Sequence, residues 1–465
     1  MRQEPNRTFN TAIFLSALQA HMTHAALHPV LKQQLLQQEG KLLPTFDRHY
    51  EKLRALPRRM RRALQRHWQR SLAGIALVLT VGQAPALASI INVGGACTLV
   101  RAINSANTDT AAGGCARGSG PDTIVLPVGG TNTLTAVNNT NYGRTGLPVI
   151  RSVITIAGNE STVRRKSGAP HFRLFAVGET GDLTLRRTTL SGGIASGSYP
   201  SNQGSAVFNF GNTTLINSTV SGNFADDDAA SLENYEGTLA INKSTISDNK
   251  GYGVSSFLGT VDLTNSTVSG NSSIGVVATF GHLTVINSTI SGNSMGVSGA
   301  NTFIELTDST ITGNSSDGVE ALYATDVTLN RSLISGNATS EALEIRDNAI
   351  TIRKTREVFR DASSYIHAGN FNLFGQNGDA NVGGFSPGAT DIVPEQALGF
   401  MIDTTLASNG GPTLTHALLP GCPAIDAVIN GTCPPPSHDQ RGAARPQDGN
   451  GDGGPACDIG AFERK

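Results

Sequence analysis

The chain has 465 residues, of which 53 are glycine, one is tryptophan and only 15% are charged. So little charge argues against a disordered chain, and so many glycines argue against a bundle of helices. Many short strands separated by turns are the structure that this composition favours.

Residues 1–88 form a leader that we predict to be helical and to end in a secretory signal peptide. A run of arginines precedes the apolar stretch SLAGIALVLTVGQAPALAS at 71–89, which is too short for a stable membrane anchor. Small residues at Ala86 and Ala88 predict cleavage after Ala88. An uncleaved anchor is the alternative, but a glycine, a glutamine and a proline interrupt the apolar stretch.

Removal of the leader changes the balance of charge. Residues 1–88 hold 13 of the 35 basic and four of the 36 acidic residues, so 22 basic and 32 acidic residues remain, with a formal charge of −10. A net acidic chain argues against binding to nucleic acid or anionic lipid. No further apolar segment of membrane-spanning length follows. We therefore expect an exported protein with no transmembrane segment in its mature part.

A repeat of about 22 residues begins near residue 215. Its clearest copies are LINSTVSGN (215–223), LTNSTVSGN (263–271) and LTVINSTISGN (283–293), and each ends in an asparagine. Six such closing asparagines follow one another at spacings of 26, 22, 22, 21 and 23 residues. A fixed period of this length predicts a solenoid. Residues 183–193 fit as an earlier, weaker coil, and residues 345–400 lose the period.

Apolar residues recur ten, eight and three positions before each closing asparagine. In the copy that ends at Asn271 they are Val261, Leu263 and Val268. The first two alternate as one strand and the third belongs to a second strand. Glycine–valine pairs that follow the asparagine indicate a third strand. Three short strands per coil predict an all-β fold, a single-stranded, right-handed parallel β-helix.

A leucine-rich repeat is the competing fold, because it has a similar period and an asparagine at its turn. That fold needs helical return segments rich in leucine. The returns in this chain, such as SSIGVVATFGH at 272–282, contain glycine, serine and β-branched residues instead. The repeat therefore favours the β-helix.

A serine stands five positions before every closing asparagine, and three copies read Asn-Ser-Thr, which is an N-glycosylation acceptor. We interpret the serine as a small inward residue and the residue before it as an outward, solvated one. Each closing asparagine is expected to sit in a turn with left-handed φ, and its amide to join a hydrogen-bonded ladder. The predicted ladder consists of Asn223, Asn249, Asn271, Asn293, Asn314 and Asn337.

Sequences at both ends of the mature chain resemble known families. CTLVRAINSANTDTAAGGCARGSGPDTIVLP (97–127) resembles the CSLREA segment of exported bacterial β-helix proteins, without its usual acidic residue after the arginine. It reads as a helix from Leu99 to Asn107 and a first strand at 123–126. GGPTLTHALLPGCPAIDA, DQRGAARP and DIGAFE, all within 410–463, resemble the choice-of-anchor Q domain.

The resemblance implies a pectin-lyase-like β-helix outside a bacterial cell or on its surface. It divides the mature chain into a CSLREA-like cap (89–127), β-helix repeats (128–400) and a choice-of-anchor Q-like segment (401–465). All five cysteines follow the predicted cleavage site, which suits an oxidising compartment. Within the two resembling segments we expect the disulfide bonds Cys97–Cys115 and Cys433–Cys457, which leaves Cys422 free.

The acidic sequence ADDDAASLENYE (225–236) is the nearest candidate for catalysis, because β-helix enzymes use carboxylates on an outer face. Asp226, Asp227 and Asp228 are the candidate catalytic residues, with Glu233 and Glu236 beside them. We interpret the stretch as a solvated loop, since no basic residue recurs beside it at coil spacing. His282, His367 and the basic stretch at 351–361 are interpreted as surface features.

The sequence DGNGDG at 448–453 copies the start of a calcium loop. Asp448, Asn450 and Asp452 would supply alternate oxygen ligands on a glycine turn. The closing glutamate of such a loop is absent, since Ile459 stands in its place, although Asp458 could substitute. We expect no other cofactor.

Two functional classes follow from these features. The first is a secreted or cell-surface β-helix without catalytic activity, which binds a polysaccharide or cell-surface glycan, mediates adhesion or forms a structural layer. The alternative is a polysaccharide lyase or glycoside hydrolase. An enzyme should show carboxylates with a basic residue in one cleft across adjacent coils, whereas a binding protein should show a long polar face.

Overall fold

A computed structural model describes residues 88–226, 229–337, 341–346, 349–429, 431 and 433–465. The predicted helical leader lies outside these residues. Within the described part of the chain, no helix is both long and apolar enough to cross a membrane.

Three stacks of parallel strands run along the molecule. The first contains β1 (Ile90–Asn92), β2 (Asp122–Val125), β4 (Val153–Arg165), β6 (Asp182–Ser191), β9 (Asn212–Ile216), β13 (Thr238–Asn242), β16 (Thr260–Thr264), β19 (His282–Ile286), β22 (Phe303–Thr307), β25 (Asp326–Asn330) and β30 (Tyr365–His367). The second contains β3 (Thr131–Leu134), the second halves of β4 and β6, β10 (Thr219–Ser221), β14 (Thr245–Ser247), β17 (Thr267–Ser269), β20 (Thr289–Ser291), β23 (Thr310–Thr312), β26 (Leu333–Ile334) and β31 (Leu373–Phe374).

The third stack and two small pairings complete the sheets. The third stack contains β5 (Phe175–Val177), β8 (Val207–Asn209), β12 (Ala230–Tyr235), β15 (Tyr252–Phe257), β18 (Ile274–Thr279), β21 (Met295–Ala300), β24 (Val319–Leu322), β29 (Val358–Arg360) and β32 (Val382–Gly383). A parallel pair joins β7 (Ile194–Ala195) to β11 (Phe224–Ala225), and an antiparallel hairpin joins β27 (Glu341–Arg346) to β28 (Ala349–Lys354). The predicted right-handed parallel β-helix is confirmed, and the hairpin accounts for the loss of period after Asn337.

The core is a column of apolar side chains that repeats from coil to coil. Val261, Leu263, Val268 and Val276 are buried in one coil, and their strands pair in register with the coils before and after. Each such side chain contributes roughly 1.5–3 kcal/mol by leaving water. The apolar positions predicted from the period are confirmed.

A helix covers the first coil. Helix α1 (Leu99–Thr108) starts after Thr98, whose side chain accepts a hydrogen bond from the backbone N–H of Arg101. Leu99 and Ile103 on its inner face are buried, and a disulfide bond joins Cys97 to Cys115. The helix and the bond are as predicted, and the strand that follows begins one residue earlier than expected, at Asp122.

Two polar ladders run inside the coils. The backbone N–H of Ser244 donates to Oγ of Ser266 at 3.1 Å, and the serines of the neighbouring coils repeat this contact. In the second ladder, the side-chain amide of Asn249 donates to Oδ1 of Asn271 at 2.9 Å. The same bond links all six predicted members, Asn223, Asn249, Asn271, Asn293, Asn314 and Asn337.

Left-handed φ angles occur elsewhere than at the closing asparagines, which corrects that part of the prediction. One position lies six residues before the asparagine, where the chain turns from the first stack to the second; it holds Asn217, Lys243, Asn265, Asn287, Asp308 and Arg331. The other is the residue directly before the asparagine, usually a glycine such as Gly270. This glycine takes the left-handed φ that L-residues disfavour, so the asparagine can direct its amide inward.

Residues 401–465 pack on the outer face of the second stack instead of adding coils. The outward Thr267, Thr289 and Thr310 are buried beneath them, whereas Thr219 and Thr245 of the earlier coils are partly exposed. This segment follows a 3-10 helix at Leu398–Phe400 and contains the predicted bond Cys433–Cys457 and the buried, free Cys422.

The packing of residues 401–465 on the second stack corrects a second expectation. We expected the residues six positions before the closing asparagines to be solvated, but Asn287, Asp308 and Arg331 are buried. Arg331 forms an ion pair with Asp308, and its Nη2 also donates to the backbone carbonyl of Pro435 at 3.1 Å. Only the earlier coils leave this position partly or fully exposed.

Candidate functional site

The predicted acidic loop provides a structural contact at the one aspartate that is described. Asp226 Oδ2 accepts a hydrogen bond from the backbone N–H of Gly197 at 3.1 Å, which holds the turn of the preceding coil. Asp227 and Asp228 lie outside the described residues. A catalytic role for the three aspartates stays a prediction of the sequence.

The predicted calcium loop is held by its own backbone. The two carboxylate oxygens of Asp448 accept hydrogen bonds from the N–H groups of Gly451, Asp452 and Gly453, at 2.8, 3.1 and 2.9 Å. Asn450 Oδ1 accepts a further bond from the N–H of Asp452. Nowhere among the described residues do three His, Cys, Asp or Glu side chains form a group that could hold a metal ion. Calcium binding here stays a prediction.

Asp458, the suggested substitute ligand, faces another part of the chain. Its carboxylate accepts hydrogen bonds from the backbone N–H groups of Asp426 and Arg464. Burial raises its pKa to about 6. Its two hydrogen bonds connect separate parts of the C-terminal segment.

A cleft of about 230 Å³ opens on the outer face of the third stack, and Glu233 of β12 is its buried acidic residue. Aromatic rings of Tyr199, Phe208, Tyr235 and Phe257 line the cleft. The spacing of β12 directs Glu233 and Tyr235 outward, because alternate residues of a strand face opposite sides. Of the acidic residues described within 225–236, Glu233 is therefore the one that lies in the cleft.

Hydrogen bonds and burial determine the orientation and the pKa of the Glu233 carboxyl. Its Oε1 accepts a hydrogen bond from the hydroxyl of Ser255, in the next coil, at 3.0 Å. Burial raises the pKa of the carboxyl to about 7, and the Ser255 bond, a backbone bond from Ala230 and the charge of Arg173 oppose that rise. A carboxyl with such a pKa beside a cleft marks a candidate functional group.

Arg173 supports the residues that line the cleft without lining it itself. Its guanidinium is fully buried and donates to the backbone carbonyls of Gln203, Tyr142 and Pro200. It also lies 4.8 Å from the centre of the Phe208 ring. These contacts hold the turn around Pro200 against the coils, and that turn carries Tyr199 and Gln203 to the cleft.

Five aromatic rings, which we name the aromatic row, pass beside the cleft. The row consists of Tyr142, Phe210, Tyr235, Phe257 and Phe280, and its successive ring centres are 4.7, 5.4, 5.3 and 5.8 Å apart. Tyr235 and Phe257 belong to both the row and the cleft. The row crosses several coils and therefore runs along the axis of the solenoid.

Bulky residues occupy strained positions at the same corner of the coils. The residue directly after each of the strands β12, β15, β18, β21 and β24 has left-handed φ, and three of these residues are Leu258, Phe280 and Tyr323, with φ of 57°, 54° and 53°. Their side chains are 47%, 50% and 63% exposed. Left-handed φ is rare for bulky residues and concentrates at functional sites. The sequence contains a signal for these positions, because Leu258 and Phe280 are one period of 22 residues apart, but the closing asparagines give the more regular pattern.

The outer face of the first stack carries polar side chains together with exposed apolar ones such as Phe303 and Tyr365. His367, which the sequence analysis interprets as a surface residue, has its Nε2 2.9 Å from Oδ1 of Asp326. The His282 ring is 6.3 Å from the ring of Phe303. In the basic stretch at 351–361, Arg356 donates to the backbone carbonyl of Val382, so this residue serves the fold.

Together the three stacks define a right-handed parallel β-helix protein. No protein-family model and no curated protein matches the chain in sequence. Among solved structures, the A-modules of mannuronan C-5 epimerases AlgE4 and AlgE6 from Azotobacter vinelandii are similar, with 17% and 13% identity and TM-scores of 0.36 and 0.34. They cover 58% and 59% of this chain and 90% and 88% of their own.

Pectate lyase Pel9A is similar as well, with 16% identity, a TM-score of 0.31 and coverage of 74% of this chain and 89% of its own. At these identities and TM-scores the likeness carries no argument about activity or ligand. The cleft and the aromatic row are therefore the features of the molecule that bear on its function.

Proposed function

We propose that this chain is an exported β-helix protein that binds a polysaccharide along the aromatic row without cleaving it. The observation that carries the proposal is the row itself, five rings in contact that cross several coils beside a cleft. A linear polymer that lies along the solenoid axis would meet several rings at once. Many weak contacts in series then give useful affinity.

The chemistry of the row suits sugars. Aromatic rings offer broad apolar faces, and tyrosine adds a hydroxyl that forms hydrogen bonds at the wet edge of a surface. Phe280 is half exposed and Phe257 is half-buried, so sugar rings could lie on them without rearrangement of the coils. The strained φ of Phe280 is a structural cost that a binding role would explain.

An extracellular location is part of this proposal. The bonds Cys97–Cys115 and Cys433–Cys457 are compatible with an oxidising compartment. The signal peptide predicted at the N-terminus and the resemblance to CSLREA and choice-of-anchor Q segments support export from a bacterial cell. Adhesion through a glycan on another cell would use the same surface.

Affinity measurements test the proposal. Tyr235→Ala and Phe257→Ala should each weaken binding to soluble polysaccharides about tenfold in isothermal titration calorimetry, which corresponds to roughly 1.4 kcal/mol. Phe400→Ala is the matched control, because Phe400 is 74% exposed and lies in the 3-10 helix, outside the row. Equal losses in all three variants would contradict the proposal.

A lyase or hydrolase is the second candidate, and Glu233 is the observation that favours it. A carboxyl with a pKa near 7 could transfer a proton at neutral pH. Hydrolysis usually requires two carboxylates, and Glu233 is the only acidic residue among the described residues that line the cleft. Release of reducing ends or unsaturated products from uronic-acid polymers, lost in Glu233→Gln, would establish the enzyme and overturn the binding proposal.

A further inference from the structure

We infer that the cleft admits one neutral sugar ring of the bound polysaccharide and excludes uronic acid residues, with Glu233 as the selecting group. This inference rests on the proposed polysaccharide binding and adds the class of sugar. It follows from the size of the cleft, from the charges around it and from the way in which Arg173 is used.

The volume of the cleft limits how many sugar rings it can hold. Its volume of about 230 Å³ lies below the roughly 300–1,000 Å³ that drug-sized ligands fill. Tyr199, Phe208, Tyr235 and Phe257 form its aromatic lining, and Gln203 and Ser255 supply polar groups. A single pyranose ring has the matching character, with apolar C–H faces and hydroxyls at its edge. The aromatic row would hold the rest of the chain.

The charges around the cleft disfavour an acidic sugar. Glu233 is the buried acid, and no lysine, arginine or histidine is among the described residues that line the cleft. Uronate recognition in proteins usually relies on arginine or lysine, since charge-assisted hydrogen bonds are the strong ones. A uronate here would bring a second negative charge beside a carboxylate, in a place where water screens it poorly.

Arg173 cannot hydrogen-bond to a uronate carboxylate, although its buried charge acts on Glu233. All three of its guanidinium nitrogens donate to backbone carbonyls, and one face of the guanidinium lies on Phe208. Its exposure is 0%. Arg173 is therefore a positioning residue, which holds the turn that carries Tyr199 and Gln203.

Glu233 can also anchor a neutral ring. Ser255 holds Oε1 from the next coil, which fixes the orientation of the carboxylate. Sugar hydroxyls donate readily to an ionised carboxylate, and such bonds are stronger than those between neutral groups. The charged and titratable groups that interact electrostatically with Glu233 are Arg173 and Tyr199, and Tyr199 also interacts with Tyr235 and Glu236.

The test compares neutral and uronic oligosaccharides of equal length. Calorimetry with the full mature chain would use gluco-, manno- and galacto-oligosaccharides against oligogalacturonate and oligomannuronate. We expect a preference of about tenfold or more for a neutral series at about pH 8.5. The preference should shrink at about pH 5.5, because the pKa of Glu233 is about 7.

Two variants complete the test. Glu233→Gln removes the charge but keeps the size and the contact with Ser255, so the preference should fall to about threefold or less. Glu305→Gln is the matched control, because this exposed carboxylate lies on β22 in the first stack and outside the cleft lining, and it should leave the preference unchanged. If Glu233→Gln fails to fold, the comparison of the two pH values on the unaltered protein still decides.

The outcomes are separable. Tighter binding of uronates at about pH 8.5, or a neutral preference that neither pH nor Glu233→Gln alters, overturns this inference and leaves polysaccharide binding intact. Failure of every neutral and acidic glycan to bind overturns the proposed function, and this inference falls with it.

Discussion

The side-chain amide of Asn337 donates to Oε2 of Glu357 at 2.7 Å, and this bond ends the asparagine ladder with a carboxylate. The backbone N–H groups of Gly336 and Asn337 donate to the same carboxylate at 2.9 and 3.0 Å. In each earlier coil, Oδ1 of the next asparagine accepts the bonds from the side-chain amide and the backbone N–H of the asparagine before it. After Asn337 the hairpin β27–β28 interrupts the repeat. The N–H donors of Gly336 and Asn337 therefore find their acceptor in Glu357, which follows the hairpin.

Glu357 should make stability depend on pH. Burial raises its pKa to about 7, from an ordinary value of 4.5, although the bonds from Asn337 and Gly336 oppose the rise. Between those values the folded protein holds a proton that the unfolded chain has lost, so the free energy of unfolding should fall as pH rises from about 5 to about 8. The loss from this group is on the order of 3 kcal/mol.

Urea unfolding at both ends of this pH range tests the prediction. Glu357→Gln removes the titrating group, so its free energy of unfolding should decline less steeply with pH. The variant should also be less stable at low pH, because its side chain offers one acceptor oxygen to three N–H donors. Glu305→Gln, on the exposed face of β22, is the control and should keep the original slope. An unaltered slope in Glu357→Gln would contradict this account.

Asn271→Leu should destabilise the coils by about 2–4 kcal/mol, because it removes a buried ladder member and leaves several partners unsatisfied. Asn271 accepts from the side-chain amide of Asn249 and donates to Oδ1 of Asn293, both at 2.9 Å. Asn242→Leu makes the same change on an exposed strand residue and should cost less than about 0.5 kcal/mol. Similar urea midpoints for the two variants would mean that the ladder contributes nothing measurable.

The free thiol of Cys422 should resist alkylation in the folded protein. Cys422 is buried, and burial raises the pKa of its thiol to about 11, so little thiolate forms. Iodoacetamide should label it only after unfolding, and mass spectrometry of non-reduced peptides should show Cys97–Cys115 and Cys433–Cys457 intact. Rapid labelling of the native protein, or a link that includes Cys422, would refute this arrangement.

The coils were predictable because their signal is local and periodic. Apolar residues and serine recur at fixed distances from each closing asparagine, so one period assigns strands, inward faces and ladders together. The left-handed φ at Lys243 and Asp308 had no such signal, since the residues at that position share no chemical type. Their conformation follows from the bend between stacks, which only the three-dimensional coil defines.

The site was harder to predict because distant segments build it. The sequence placed Glu233 among several acids, and nothing local separates it from Asp226. Glu233 reaches the cleft because the turn around Pro200 stands beside it, and that turn is held by Arg173 from an earlier coil. Gln440 likewise contacts Thr267, 173 residues away, without a local pattern that pairs them.

Gln440 should hold the C-terminal segment on the second stack. Its Oε1 accepts from the hydroxyl of Thr289 at 2.6 Å, and its Nε2 donates to the Oγ1 atoms of Thr267 and Thr413 at 3.0 and 2.9 Å. Gln440→Leu should therefore cost about 3 kcal/mol, since these buried groups lose their partner. Limited proteolysis should then cut the segment 401–465 before the coils.

The control for this variant is Gln447→Leu. Gln447 belongs to the same segment, but its side-chain amide donates only to the nearby carbonyls of Ala444 and Pro446. We expect a cost below about 0.5 kcal/mol and no new cleavage. Equal protection of all three proteins would show that the segment is held by its apolar contacts rather than by Gln440.

Phe280→Gly should separate binding from stability. Left-handed φ costs a residue other than glycine roughly 1–2 kcal/mol, and glycine removes that cost while it raises the entropy of the unfolded chain by roughly 0.5–1 kcal/mol. The free energy of unfolding should therefore stay within about 1 kcal/mol of the original value. Affinity for the polysaccharide should still fall, because the ring that contacts Phe257 is gone.

Phe280→Ala is the matched comparison, because alanine removes the ring but keeps the left-handed strain at φ 54°. This variant should lose the same affinity and be less stable than Phe280→Gly by about 1 kcal/mol. Urea midpoints and calorimetric titration of both variants measure the two effects separately. If both variants bind as tightly as the original protein, the strained ring has no part in binding and the aromatic row ends at Phe257.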